Sequence, residues 1–320
     1  MNAPRPAGTN LEQVSEPLVW LPFDAQDLGE VPAGLRYEVH RRGEDGLGRL
    51  SLEDVAFYVP PYEGLRKDAE LIAHMPGLEV VQTLTAGVDH IRPFVPPGVL
   101  LCNGRGIHDA STAELALALT LASLRGIPGF VRAQDRRQWT HRPLQALADK
   151  RVLIIGYGQI GEAIEERLRP FEVAAVDRVA RTAKPGVHGT ADVPELLPHA
   201  DVVILVVPAT EETRGMVDTS FLKRMKDGAL LVNVARGSIV VSDDLLAELR
   251  TGRISAAIDV TDPEPLPVHH PLWSAPNLLI SPHVGGASSA MWPRAHRLVR
   301  EQLQRYAKGE PLVNQMTGDY

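Results

Sequence analysis

Short apolar runs alternate with polar or amphipathic stretches along most of the chain. Before residue 104, five apolar runs predict strands, and an amphipathic stretch at 64–75 predicts a helix that Pro76 and Gly77 end. This part of the chain therefore indicates a small α/β domain. The five strands are predicted at residues 18–21, 36–40, 55–59, 80–84 and 99–102.

The stretch RVLIIGYGQIGEAIEERL, residues 151–168, predicts a buried strand, a glycine-rich turn and a helix. Gly156, Gly158 and Gly161 have the G-x-G-x-x-G spacing. The first glycine suits a tight turn, the second a close approach of a pyrophosphate to the backbone, and the third close packing of helix on strand. The N–H groups of the new helix would then face the phosphates. The pattern predicts a dinucleotide site.

An acidic residue follows at a spacing that suits the same interpretation. A second strand is predicted at 172–176, and Asp177 ends it at close to the roughly 20 residues after Gly156 that are expected for a ribose-binding carboxylate. The glycines alone also suit an ordinary β–α–β turn, but the flanking strand and helix favour the dinucleotide site. A carboxylate there favours NAD over NADP. NADP stays open, because Arg178 and Arg181 lie close by.

The alternation continues to the end of the chain. Strands are predicted at 201–207, 229–234, 254–258 and 278–281, and helices at 193–197, 220–225, 243–250 and 290–308. Alternating apolar strands and helices predict a doubly wound parallel sheet, in which ligands bind beyond the carboxyl ends of the strands. One shared site is therefore predicted from the polar or proline residues at these ends, which are Asp177, Pro208, Arg236, Asp259 and His283.

The predicted fold class is α/β with two domains. Residues 104–289 form a Rossmann-type dinucleotide-binding domain with a doubly wound parallel sheet. Residues 1–103 and 290–320 form a smaller, discontinuous, flavodoxin-like α/β domain for the substrate, because the last helix is expected to cross back to the N-terminal part.

One predicted helix lacks a polar face. Ser111 and Glu114 have the spacing of a capping box at the start of a helix over 115–124, which is apolar on nearly all sides. Such a helix must be buried in a domain core or at a subunit interface. We favour an interface, and hence a homodimer.

The composition of the chain limits the classes of protein to which it can belong. The 320 residues are 44% hydrophobic, which suits two sizeable cores. The net charge of −7 comes without a basic block, so nucleic acid is not an expected partner. Cys102 is the single cysteine, which fits a reducing cytoplasm. We expect a loose tail at 1–9, no signal peptide, no membrane association and no metal site.

Three residues suggest the chemistry. Arg236, in VNVARG, can grip a carboxylate with two parallel hydrogen bonds. His283, in SPHVGG, is a natural proton donor near neutral pH, and Glu264, in DVTDPEPLP, can pair with it. Each alone also suits a surface salt bridge, a solvated acid or a structural histidine. Together with a dinucleotide site they predict the reduction of a keto acid.

Four blocks, in their order and spacing, resemble the D-isomer-specific 2-hydroxyacid dehydrogenases. They are GYGQIG, MVDTSFLKRMKDGALLVNVARGSIVVSDDLLAELRTG, AAIDVTDPEPLP with HHPL after it, and SPHVGG. That family includes phosphoglycerate, glyoxylate/hydroxypyruvate and D-lactate dehydrogenases. The resemblance runs from about Val80 to Pro311. It implies that Arg236 binds the substrate carboxylate and carbonyl, that His283 donates the proton and that Glu264 pairs with His283. The implied activity is NAD(P)-dependent interconversion of a 2-oxo acid and a D-2-hydroxy acid.

The resemblance also implies a wider set of contacts. Ala86 and Gly87 would hold the substrate carboxylate through backbone amides, although their sequence alone favours a plain strand-ending turn. Asp259 would hold the nicotinamide carboxamide. The implied cofactor-binding residues are Thr112, Gly156, Gly158, Gln159, Ile160, Gly161, Asp177, Arg178, Val207, Pro208, Thr213, Val234, Ala235, Asp259, His283 and Gly285.

The chain departs from the family pattern after the histidine block. Many members have an arginine at the start of the following helix, whereas here the first is Arg294. Two alternatives to the proposed activity stay open. One is a corepressor-like protein that senses NADH without turnover. The other is a related dehydrogenase acting on an unusual small anion. Glu264 argues against a formate type, and the segment 83–92 lacks the lysine of phosphite enzymes.

Overall fold

The computed structural model describes residues 16–40, 52–62 and 65–317. The tail predicted at 1–9 and the predicted helix start at residue 64 lie outside these ranges. The chain forms two compact units. The first comprises Met1–Leu84, His90–Cys102 and His296–Gln315, and the second comprises Thr85–Asp89, Asn103–Ala295 and Met316–Tyr320.

The first unit contains a five-stranded sheet. All neighbouring strands are parallel, in the order β2-β1-β3-β4-β5, which is the flavodoxin-like order. Each strand lies where an apolar run predicted it, and the ends differ by two residues at most. The bounds are Leu18–Leu21 for β1, Arg36–Val39 for β2, Val55–Tyr58 for β3, Val80–Gln82 for β4 and Leu100–Cys102 for β5, with helix α1 at Leu65–Glu70.

The last helix, α8, spans Met291–Ala307, and its residues from His296 onward belong to the first unit. The buried Gln302 side chain donates to Gln82 Oε1 at 2.6 Å and to the Val313 carbonyl at 2.8 Å. A buried amide needs such partners, because an unpaired polar group in a core costs stability. These bonds fix α8 to the strand β4. The first unit is therefore built from both ends of the chain.

The second unit contains six parallel strands in the order β11-β10-β9-β8-β6-β7. Five of its helices pack on the sheet or beside it. The predicted fold class, two α/β units with parallel sheets, is confirmed. The strands are β6 Arg151–Ile155, β7 Ala175–Val179, β8 Val202–Leu205, β9 Leu230–Asn233, β10 Ser255–Ile258 and β11 Leu278–Ile280. The helices are α2 Asp109–Leu124, α3 Ile127–Asp135, α4 Gln159–Leu168, α5 Val193–Leu196, α6 Thr219–Arg224 and α7 Ser242–Thr251.

The second sheet is covered on both faces, as the continuous apolar strands predicted. Alternate residues of β6 point to opposite sides. Leu153 packs in one cluster with residues of α5, α6 and α7, such as Phe221. Val152 and Ile154 pack in the other cluster with residues of α2 and α4, such as Ile164. Both clusters are almost fully buried, so the strand ends above them are held in fixed positions.

Helix α2 corrects one prediction. It begins at Asp109, two residues before the predicted cap, and the Ser111 hydroxyl donates to the His108 carbonyl at 3.2 Å. Ser111 and Glu114 therefore do not form a capping box. The helix packs against α4, β9 and β10, and eight of its sixteen residues are buried in the second unit. In the described ranges no single helix could span a membrane; α2 and α3, bent by 63°, meet the length and composition criteria only as a pair.

Candidate active site

The glycine turn lies at the point where the strand order changes direction. The chain passes from β6 to β7 on one side and returns to β8 on the other. In open α/β sheets, a crevice for ligands forms at such a point. Gly156 has φ +112°, and a Cβ there would lie 2.5 Å from the Val206 carbonyl oxygen. Only glycine fits this contact between the ends of β6 and β8.

The other two glycines of the turn differ in their surroundings. A Cβ on Gly161 would lie 2.6 Å from the Gly156 carbonyl oxygen, so the start of α4 packs tightly on the turn. A Cβ on Gly158 would meet no heavy atom within 4 Å. Gly158 thus leaves open space beside the N-terminus of α4, where unpaired N–H groups and the helix dipole favour an anion. This cradle fits the pyrophosphate of a dinucleotide.

A cavity of about 830 Å³ extends from this turn. It is large enough for a cofactor, since ligand pockets usually measure roughly 300–1,000 Å³. Most predicted cofactor and substrate residues line it. Those are Ala86, Gly87, Gly156, Gly158, Gln159, Ile160, Gly161, Val207, Pro208, Thr213, Val234, Ala235 and Arg236. The predicted residues outside this lining are Thr112, Asp177, Arg178, Asp259, Glu264, His283 and Gly285.

Asp177 is not at the end of its strand, which corrects the prediction. Glu172 has φ +56°, so the chain turns there and β7 begins only at Ala175. Asp177 therefore pairs with Leu153 in mid-strand, and its carboxylate accepts from Arg151 at 2.9 Å. The Asp177 carboxylate forms a salt bridge with the neighbouring strand and does not line the cavity. A ribose-binding carboxylate at this position was the reason given for preferring NAD, and that reason does not hold.

Arg178 is also engaged away from the cavity. Its Nε donates to Glu165 of α4 at 2.7 Å, its Nη2 bonds the other oxygen of the same carboxylate, and its guanidinium lies over the Tyr157 ring. The Arg178 hydrogen bond lowers the pKa of Glu165, against the opposing effect of burial. These bonds tie α4 to β7. At the carboxyl end of β7, Ala180 and Arg181 line the cavity instead.

The three predicted catalytic side chains come from two loops and a strand end. His283 Nδ1 is hydrogen-bonded to Glu264 Oε1. Partial burial raises the pKa of the Glu264 carboxyl, but the hydrogen bond and charge of His283 outweigh this effect and leave the pKa below its usual value. Glu264 is therefore ionised at neutral pH, and it fixes the orientation of the imidazole ring.

Arg236 follows β9 and meets the predicted substrate turn. Its Nε lies 3.4 Å from Asp89 Oδ2, and its Nη1 donates to the Ala235 carbonyl at 2.7 Å. The next residue, Gly237, is confined, since a Cβ there would lie 2.0 Å from the Thr261 carbonyl oxygen. The turn carrying Arg236 thus abuts the loop that leads to Glu264.

Buried Asn233 supports this turn and was not singled out from the sequence. Its Nδ2 donates to the Arg236 carbonyl at 3.0 Å, and its Oδ1 accepts from the Ala235 N–H at 3.0 Å. Both bonds hold the backbone on either side of Arg236. A polar residue inside the apolar run LLVNVA was the available signal.

The loop carrying His283 is organised by Asp259, which is 3% exposed. Asp259 Oδ1 accepts from the Ser281 hydroxyl at 2.6 Å and from the Val284 N–H at 2.9 Å, while Oδ2 accepts from the Gly285 N–H at 2.8 Å. His283 has φ +54°, an uncommon conformation that these bonds maintain. In this structure Asp259 holds the histidine loop; its contact with a carboxamide stays a prediction.

Thr112 and Gly285 extend the same network. The buried Thr112 hydroxyl of α2 donates to the Gly285 carbonyl at 3.3 Å. A Cβ on Gly285 would lie 3.1 Å from Asp259 Oδ2, so a larger residue would crowd the carboxylate. These two residues, predicted as cofactor contacts, therefore support the position of the histidine loop from the side of α2.

Ala86 and Gly87 lie in a turn held by side chains. The Thr85 hydroxyl donates to the Gly87 carbonyl at 2.7 Å, and Asn103 Nδ2 donates to the Ala86 carbonyl at 3.0 Å. Asp89, at the end of this turn, contacts Arg236. The structure thus brings the predicted backbone carboxylate site and the predicted guanidinium clamp to one end of the cavity.

Further charges at that end were not assigned from the sequence. Arg105 and Asp109 line the cavity. Burial raises the pKa of Asp109 above its usual value, although a backbone hydrogen bond at Gly106 and the charges of His108, Arg105 and Arg294 oppose the shift. Arg294, the first arginine after the histidine block, therefore lies near Asp109, which lines the cavity. Among the described residues, no cluster of three histidine, cysteine, aspartate or glutamate side chains could hold a metal ion.

The chain is similar to known proteins over most of its length. A glyoxylate reductase/hydroxypyruvate reductase from Homo sapiens is 32% identical over 252 residues, 75% of this chain and 77% of the relative. A glyoxylate reductase from Thermococcus onnurineus is 35% identical over 269 residues, 78% of this chain and 80% of the relative.

A solved structure agrees with these relatives. A D-isomer specific 2-hydroxyacid dehydrogenase from Xanthobacter autotrophicus, crystallised with NADPH and MES, has a TM-score of 0.78 and 32% identity, over 95% of this chain and 98% of that one. The sequence profile of the D-isomer specific 2-hydroxyacid dehydrogenase NAD binding domain matches residues 117–285. The chain, which combines this profile with the glycine turn and the Arg236, Glu264 and His283 side chains, belongs to the D-isomer specific 2-hydroxyacid dehydrogenase family.

Proposed function

We propose that this protein reduces a small 2-oxo acid to the D-2-hydroxy acid with a reduced nicotinamide dinucleotide. The observation that carries the proposal is the hydrogen bond between His283 and Glu264, in a unit whose cavity is lined by Arg236. A proton donor with an oriented ring and an anion clamp are the groups that such a reduction needs. The names of the relatives point to glyoxylate and hydroxypyruvate as the first substrates to try.

Each residue has a defined task in this proposal. A nicotinamide dinucleotide held at the glycine turn would supply the hydride for the carbonyl carbon. Arg236 binds the substrate carboxylate through its guanidinium, and the backbone N–H groups at Ala86 and Gly87 bind the same group. When the His283 ring carries both protons, its Nδ1–H donates to the ionised Glu264 and its Nε2–H gives its proton to the carbonyl oxygen, which leaves a neutral ring.

We propose further that the protein accepts NADPH. The carboxyl end of β7, where the adenosine ribose lies in this kind of fold, carries Arg181 in place of the predicted carboxylate. A guanidinium pairs well with a 2′-phosphate. The Xanthobacter relative was crystallised with NADPH, which agrees with this assignment.

The test is steady-state turnover of NADPH and NADH with a panel of 2-oxo acids: glyoxylate, hydroxypyruvate, pyruvate, phenylpyruvate and branched-chain acids. We expect turnover with at least one small acid and a D-configured product. Tight nucleotide binding without turnover on any acid would contradict the proposed reaction and support a sensing role instead.

We also propose a homodimer in a reducing cytoplasm. Three apolar residues of α3 are exposed, and Phe130 and Val131 lie three and four positions after Ile127, so both share a face of the helix with it. Trp139, in the following segment, is 98% exposed. Apolar surface of this kind is a feature of association sites.

The single cysteine, Cys102, is buried, and burial raises the pKa of its thiol to about 11, although a hydrogen bond with Gln302 opposes the shift.

A further inference from the structure

The loop after β8 brings an acidic side chain to the cavity that Arg181 lines. Glu212, in the segment PATEETR, lines the same cavity together with Pro208, Thr210 and Thr213. The turn is closed by hydrogen bonds: the Thr210 N–H donates to Thr213 Oγ1 at 2.8 Å, and that hydroxyl donates to the Pro208 carbonyl at 2.7 Å. The loop is therefore locally ordered, and the backbone at Glu212 is held at the end of β8.

The Glu212 carboxylate is charged throughout the neutral range. Hydrogen bonds from the Thr210 side chain and from its own backbone N–H lower its pKa, weak desolvation opposes them, and the charge of Arg181 adds to the lowering. Arg181 and Glu212 are thus close enough to interact, although they come from the ends of two different strands. A phosphate that approached Arg181 would also approach this negative charge.

We infer that Glu212 is a second determinant of cofactor choice, which opposes the 2′-phosphate that Arg181 attracts and so lowers the preference for NADPH over NADH. The inference rests on the proposed function, because it assumes that the adenosine ribose lies at the end of β7. A carboxylate beside a ribose accepts hydrogen bonds from free hydroxyls but repels a phosphate, whereas a guanidinium does the opposite. With one carboxylate and one guanidinium in the same subsite, the preference for NADPH over NADH is smaller than the guanidinium alone would give.

The test is direct binding by titration calorimetry, without substrate. Glu212→Gln should tighten NADPH and the fragment 2′,5′-ADP by about three- to tenfold, and change NADH and ADP by less than about twofold, as expected for loss of one exposed charge near a dianion. Because the carboxylate is exposed, the gain should shrink as salt shortens the Debye length. Arg181→Gln should act in the opposite direction, weakening only NADPH and 2′,5′-ADP.

The matched control is Glu211→Gln, which removes the same charge from the adjacent exposed residue, outside the cavity lining. Equal effects of Glu211→Gln and Glu212→Gln on NADPH, or an unchanged NADPH-to-NADH ratio in Glu212→Gln, would overturn the inference. Failure of the wild-type protein to bind either nucleotide would instead overturn the proposed function, so the two failures are distinguishable.

Discussion

At the scale of single residues, the proposed chemistry depends on His283, which lies in a loop between β11 and α8. Its ring is oriented by Glu264, and its backbone N–H donates to the Asp259 carbonyl at 2.7 Å. Asp259 in turn uses both carboxylate oxygens on the residues around the histidine. A catalytic ring held in this way loses little entropy when a substrate binds.

Replacing His283 by alanine should lower kcat by about 100-fold or more, because general acid catalysis contributes roughly 10²–10⁴. Nucleotide affinity, measured by calorimetry, should stay within about threefold of the wild type. The matched control is His269→Ala, an exposed histidine close to the same region in sequence. Turnover near wild type in His283→Ala would show that another group donates the proton.

At the scale of an element, the glycines of the turn between β6 and α4 meet two requirements, one for packing of the fold and one for open space beside the helix. Gly156 and Gly161 are required by the fold, since a Cβ at either would meet a backbone carbonyl oxygen. Gly158 has open space and is not required for packing. The same motif therefore contains positions under different constraints, which the spacing by itself does not separate.

Gly158→Ala should leave the melting temperature of the free protein almost unchanged but weaken nucleotide binding by about tenfold or more, because the added methyl group occupies the pyrophosphate approach. Gly156→Ala should instead lower the stability of the free protein, since its Cβ would lie 2.5 Å from Val206 O. Thermal melts with and without nucleotide measure both effects. Equal destabilisation by the two variants would contradict this division.

The contact between α4 and β7 predicts a pH effect on stability. Glu165 has a lowered pKa in the folded protein, so its contribution is fully present above the unfolded value of about 4.3 and is lost as pH falls through the folded value. Glu165→Gln should cost about 1 kcal/mol of unfolding free energy at pH 7. In urea melts this difference from the wild type should shrink below about pH 4. Glu166→Gln, one residue along on the exposed side, should show little change at either pH.

At the scale of the whole molecule, the second unit exposes apolar side chains that its own core does not bury. The α3 face and Trp139 are costly to leave in water, since burying such a side chain is worth about 1.5–3 kcal/mol. A second copy of the chain is the partner that we propose for them. Half of the sixteen residues of helix α2 are buried, so its half-exposed and exposed residues are what it can add to such an interface.

The double variant Phe130→Ser, Trp139→Ser should therefore shift the protein from dimer to monomer in a concentration series by sedimentation equilibrium. The control is Val268→Ser, because Val268 is also strongly exposed but lies in a different loop. A concentration-independent monomer mass for the wild type would contradict the proposal, as would a dimer that the double variant leaves unchanged.

The sequence by itself located most of the elements and predicted the residues of the main site. Apolar runs located most strands of both sheets to within a few residues, because strands buried on both faces of a parallel sheet are almost continuously apolar. The glycine spacing located the turn, since local sterics decide where a Cβ can fit. The motifs around Arg236, Glu264 and His283 carried the family membership, and the structure then brought His283 and Glu264 into contact.

Only the tertiary structure decided which partner each charged side chain takes. Asp177 was predicted at a strand end but lies in mid-strand, because Glu172 has a left-handed backbone conformation and β7 begins only after it. Thr112 reaches Gly285 across 173 residues of sequence, and Arg178 bonds Glu165 on a packed helix. Hydrogen bonds of this kind depend on the packing of segments that are distant along the chain, so neither periodicity nor motif spacing could predict them.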